Sequence, residues 1–84
     1  MPPREIHCEF TRRKYGVTGE PFHKWIDELW KKLGPRHRQY RHYYNDWIPQ
    51  RFIDMYGLDL ARKIIRSHIW LDDNWDWYKY KFYQ

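Results

Sequence analysis

The hydrophobic pattern is clearest over residues 61–72, ARKIIRSHIWLD. At about 100° per residue, Ala61, Ile64, Ile65, Ile69 and Leu71 fall on one face of a helix. His68 lies in the middle of that face, and Asp72 sits one turn further on, beside it. A carboxylate on an apolar face is costly unless it is paired or bound to a cation. Asp72 also falls near the C-terminal end of its helix, where the macrodipole disfavours negative charge. The pattern therefore predicts a positive partner for Asp72.

Other helices precede this one. The spacing predicts a helix over 21–33, with Pro21 in the favoured first position and Gly34-Pro35 as the stop. Phe22, Trp25, Ile26, Leu29 and Leu33 form its buried stripe. His23 and Asp27, four apart, lie beside Trp30 on one border of that stripe, and Glu28 lies on the far side. A second helix begins near Arg36, with Tyr40, Tyr43, Tyr44 and Trp47 as its apolar face. His37 borders that face near Tyr44, and His42 points about 140° away on a flank shared with Arg38. Pro49 breaks or kinks this helix, with Asn45 or Asp46 as a new N-cap. A short helix continues to Tyr56, Gly57 ends it, and Asp59 caps the last one.

At both ends of the chain the period changes. In EIHCEFT, residues 5–11, Ile6, Cys8 and Phe10 alternate with Glu5, His7 and Glu9, the period of a half-buried strand. In the tail WDWYKYKFYQ, Tyr78, Tyr80 and Phe82 alternate with Trp77, Lys79 and Lys81. The expected fold is mainly α: one domain over 1–84, a small bundle of three to four helices with its termini paired as a short two-stranded sheet. Residues 1–14 would form the N-terminal strand or arm, and 75–84 the aromatic tail.

Composition adds bounds. A chain of 84 residues buries only about 60% of its unfolded surface, so its core is marginal unless reinforced. Aromatic residues make up 21% of it and supply much of the buried area. Cys8 is the only cysteine, which excludes a disulfide framework. No apolar run approaches the ~20 residues of a membrane span, so the expected setting is the cytoplasm without membrane contact. The net charge of +5 permits nucleic-acid binding without demanding it. Lys31, Lys32, Arg36, Arg38 and Arg41 form a basic run without an acid, and Asp72, Asp73 and Asp76 an acidic one without a base.

The candidate chemistry follows from the histidines. His23 with Asp27, His37 with His42, and His68 with Asp72 arrive on three helices, each pair within about one turn. Bundles build metal sites from such inward-pointing ligands on facing helices. Histidine and carboxylate together suit Zn, Mn, Fe or Ni, and a divalent ion would also give Asp72 its positive partner. His7 beside Cys8 offers a further ligand. Against this stands a plain structural account, in which Asp72 pairs with Arg38, Arg41 or Arg66 and His68 is a hydrogen-bonded core histidine.

Several motifs occur in order: YG at 15–16, FHKWIDE at 22–28, HRQYRHYY at 37–44, MYG at 55–57 and HIWLD at 68–72. Together they resemble a family of small, uncharacterised microbial proteins with a pattern of roughly H-x-W-x-D, H-R-x-x-R-H, F-G and H-x-x-x-D. The resemblance supports the residue set and implies no reaction. This chain departs from the pattern in its short connection between Gly57 and His68.

Three functions compete on the sequence. The first is a metal-binding domain extending to a metal-dependent hydrolase. His23, His37, His68 and Asp72 would hold the ion, Asp27 would complete the shell or act as base, and Arg38 or Arg41 would bind an anionic substrate. The second is a nucleic-acid binder using the basic run over 31–41, with Tyr40, Tyr43 or the tail aromatics stacking on bases. The third is an interaction module, a homodimer joined through the aromatic tail.

Overall fold

A computed structural model describes residues 2–28, 30–34, 36, 41 and 47–82 of the chain. Its helices are α1 (Arg4–Tyr15), α2 (Glu20–Asp27), α3 (Trp30–Leu33), α4 (Gln50–Tyr56), α5 (Leu58–Asp73) and α6 (Trp75–Phe82). The mainly helical expectation holds, but the three to four helices expected are six among the described residues. The two-stranded sheet does not hold: among the described residues there is no strand, and both proposed strands are helices.

The reason is visible at each end. In α1 the buried positions are His7, Cys8, Phe10 and Thr11, spaced as a helical face, and two of them are polar. A search for alternating apolar residues picks Ile6, Cys8 and Phe10 and misses that face. In α6, Trp75, Tyr78 and Phe82 are three and four apart and lie ring against ring, with centroids 6.4 and 4.7 Å apart. A tail this rich in aromatics satisfies both periods, and packing selects the helix. The helix expected over 21–33 is also divided, since α2 ends at Asp27 and α3 is a separate short turn.

α5 organises the rest, packing against α1, α2, α4 and α6. On one side Phe22 and Ile26 of α2 and Phe52 of α4, with Ile48, enclose Ala61, Ile64, Ile65 and Ile69. The rings of Phe22 and Phe52 are nearly parallel, 4.4 Å apart. A smaller cluster joins Phe10 of α1 and Tyr78 of α6 to Leu71. α5 thus presents apolar residues to four neighbours, which is why its stripe is the most legible in the sequence.

Glycines set two of the turns between helices. Gly16 ends α1 in the left-handed region, φ 84°, where its N–H donates to the Arg12 carbonyl. Gly19 precedes α2 at φ 66°, and a Cβ there would stand 3.2 Å from Ile64 Cγ2. That close approach seats the start of α2 against α5 and aims His23 inward. At the next junction Gly57, not Asp59, occupies the N-cap of α5, and Asp59 lies in the first turn. None of the helices described is long and apolar enough to cross a membrane.

Candidate metal centre

Three helices each deliver two polar side chains, four residues apart, to one place. α1 brings His7 and Thr11, α2 brings His23 and Asp27, and α5 brings His68 and Asp72. Spacing of four puts both members on the same helical face, so three two-residue contributions converge where α1, α2 and α5 meet. His7, Thr11, His23 and His68 are at most 1% exposed. Asp72 is buried too, while the Asp27 side chain keeps 19% of its surface open to solvent.

The partner that Asp72 requires is His7. Its Nε2–H donates to Asp72 Oδ1 at 3.0 Å, joining the first turns of α1 to the last turn of α5. The His7 and His68 rings are stacked, 3.7 Å apart and within 4° of parallel. His7 Nδ1, on the other side of the ring, makes no hydrogen bond among the described residues.

A second chain of contacts runs through the same cluster. Thr11 Oγ1 lies 2.9 Å from the His7 carbonyl oxygen and 2.8 Å from His23 Nε2. His23 Nδ1 faces His68 Nδ1 at 2.8 Å. His68 Nε2, on the far side of its ring, lies 3.3 Å from Asp27 Oδ2 and 3.4 Å from Asp72 Oδ2.

Burial keeps two of these imidazoles neutral. His23 is held at about 2, mainly by loss of solvent and then by the neighbouring His68 and His7 rings, against the pull of Asp27 and Asp72. His68 is held at about 4, again mainly by burial, with the contact to Asp27 working the other way. Neutral imidazole nitrogens and ionised carboxylates are the forms that bind metal ions. Two groups of potential ligand atoms lie within 4.8 Å of one another: His7, His23 and His68, and Asp27, His68 and Asp72. His68 belongs to both.

Of the residues singled out from the sequence, His23, Asp27, His68 and Asp72 come together here. His37, His42 and Arg38 lie outside the described residues, as does the side chain of Lys31. Lys32 and Arg36 are exposed. Arg41 is engaged: its Nη1 donates to Glu28 Oε1 at 2.6 Å and to the Trp25 carbonyl at 2.8 Å, and its guanidinium lies over the Trp25 ring. Cys8 belongs to neither ligand group. It is buried beside Arg4, Glu5, Glu9, Thr18 and Glu20, and burial pushes its thiol up to about 11.

Sequence reasoning undervalued His7 and passed over Thr11. Both sit one turn apart on a helix read as a strand, and alternation would have placed His7 on the solvent side. A helical reading of α1 would have aligned His7 with Thr11 and shown a third i,i+4 polar pair. Compared with known proteins, the chain matches no family model, no curated protein and no solved structure.

Proposed function

We propose that this chain is a metal-binding helical protein whose buried histidine and aspartate cluster holds a divalent ion of the Zn, Mn, Fe or Ni class. The observation that carries the reading is the pair of donor groups sharing His68, in which two carboxylate oxygens approach one imidazole nitrogen at 3.3 and 3.4 Å. Nitrogen and oxygen donors without thiolate suit these ions. An ion held by this cluster would also reinforce a domain too small to rest on its core alone.

Hydrolysis of an anionic substrate is the extension of this reading. A bound ion lowers the pKa of its water toward 7, and Asp27, the part-exposed member of the cluster, is where solvent or substrate would arrive. The deciding experiment is elemental analysis of tag-free protein purified without chelator, with melting curves before and after EDTA. A near-stoichiometric ion that His68→Ala abolishes supports the reading. A chain that carries no ion and does not respond to added Zn, Mn, Fe or Ni leaves the cluster a purely structural polar network.

A further inference from the structure

We propose that the ion sits on the carboxylate side of His68, between Asp27 Oδ2, Asp72 Oδ2 and His68 Nε2, and that Thr11 and His23 are positioning residues that set which nitrogen of His68 is free to bind it. This rests on the metal-centre reading above.

The distances distinguish the two donor groups. Ligand atoms about 2.1 Å from one ion stand roughly 3.0 Å apart at octahedral edges and 3.4 Å at tetrahedral ones. The separations of 3.3 and 3.4 Å from His68 Nε2 to the two carboxylates already have that spacing. The 2.8 Å between His23 Nδ1 and His68 Nδ1 is a hydrogen bond, shorter than either edge, and an ion shared by those two nitrogens would have to push them apart. Asp72 is likewise divided, with Oδ1 accepting from His7 Nε2–H and Oδ2 turned to His68.

Thr11 fixes the rest because its hydroxyl has one proton and two acceptors in reach. If that proton lies on the His7 carbonyl, Thr11 Oγ1 accepts from His23 Nε2–H. His23 Nδ1 then accepts from His68 Nδ1–H, and His68 Nε2 presents a lone pair to the two carboxylates. Those three electron-rich atoms suit a cation and repel one another without it. If instead Thr11 donates to His23 Nε2, its bond to the His7 carbonyl is given up and the rest of the relay reverses: His23 Nδ1–H donates to His68 Nδ1, and His68 Nε2–H donates to the carboxylates. The second arrangement suits the ion-free chain. Both hold the same protons, so the ion selects a direction without acid or base. In the ion-bound direction His68 donates its remote N–H to His23, the outer support that metal-bound histidines characteristically have.

The test uses the full chain and Zn²⁺ as probe, with calorimetry for affinity, ¹⁵N NMR for the His68 tautomer and circular dichroism for the fold of each variant. The expected result is that Zn²⁺ moves the His68 proton from Nε2 to Nδ1 and that Asp27→Asn weakens binding by more than a hundredfold. Thr11→Val, which keeps the shape of the side chain, should weaken binding about 10- to 100-fold. Thr11→Ser, which keeps only the hydroxyl, should restore it. If Thr11 acted by packing alone, Val would be the tolerated change and Ser the damaging one. Zn²⁺ bound equally well by Asp27→Asn, or without a change of tautomer, overturns this inference and leaves the metal-centre reading standing on the three histidines. No Zn²⁺ bound by the unmodified chain overturns both.

Discussion

His7 Nε2–H donates to Asp72 Oδ1 at 3.0 Å, and both side chains are 1% exposed. The contact spans 65 positions of sequence and closes the chain's longest described polar loop, from the first turns of α1 to the end of α5. Asp72 has the helix macrodipole against it and little water around it, so this donor is its main local compensation from α1. His7→Ala should therefore destabilise the chain by about 3–5 kcal/mol, the cost of breaking a buried hydrogen-bonded charge. Adding Asp72→Asn should recover part of that loss, since an amide is less costly to bury than a carboxylate. Urea titrations of the two single variants and the double variant measure this. A loss under 1 kcal/mol for His7→Ala would mean that Asp72 is solvated by another route.

Acid should destabilise the chain earlier than its carboxylates alone would. The folded state holds His68 at about 4 and His23 at about 2, whereas an unfolded histidine titrates near 6.5. Below pH 6.5 the unfolded chain takes up protons on these rings that the folded chain refuses. Stability is then fully present above pH 6.5 and falls as the pH drops toward 4, by about 1.4 kcal/mol per unit for each ring. Chemical denaturation at half-unit steps from pH 8 to 4.5 should show the decline, and His68→Asn should reduce its slope. A flat profile over that interval would mean that one or both rings gain a proton within the fold.

The readable and unreadable parts of the sequence differ by physical cause. The stripe of α5 was legible because its apolar residues meet partners on several sides, and His68 and Asp72 were conspicuous as polar intruders on it. The pair His23 and Asp27 was legible for the same reason. α1 was not, because its inner face is half polar: His7 and Thr11 are buried for the hydrogen bonds they make, which hydropathy periodicity does not register. Nothing local announces that a histidine near the start of the chain will meet an aspartate near its end. That pairing is a tertiary fact, and the sequence offered only half of it, the unmet demand at Asp72.

The turn before α2 makes a separate prediction. Gly19 combines φ 66° with a hypothetical Cβ 3.2 Å from Ile64 Cγ2 and 3.3 Å from its Cδ1, whereas Gly16, at φ 84°, has open space around it. Both positions charge an alanine the left-handed backbone cost of about 1–2 kcal/mol. Only Gly19→Ala adds the contact with Ile64 and displaces the start of the helix that carries His23. Its loss of stability should exceed that of Gly16→Ala by at least about 1 kcal/mol. Equal losses, read from melting or denaturant curves, would show that Ile64 yields and that the close approach does not position α2.

Cys8 provides a reporter for the whole arrangement. It is 8% exposed on α1, one residue from His7, and burial pushes its thiol up to about 11. At pH 8 roughly one thiol in a thousand is then ionised in the folded chain, against about one in four for a free cysteine. Labelling by a thiol reagent should run at least about a hundredfold slower in the native protein than in urea, because modification has to wait for α1 to detach. An ion that binds only the folded cluster lowers the detached population by the factor 1 + [ion]/Kd. A free ion concentration of 100 Kd should thus slow labelling about a further hundredfold, and His68→Ala should remove that second effect while leaving the first. Native labelling as fast as that of a free thiol would show that α1 is not held down. Slow labelling that no divalent ion slows further would show a docked α1 over a cluster that binds none of them.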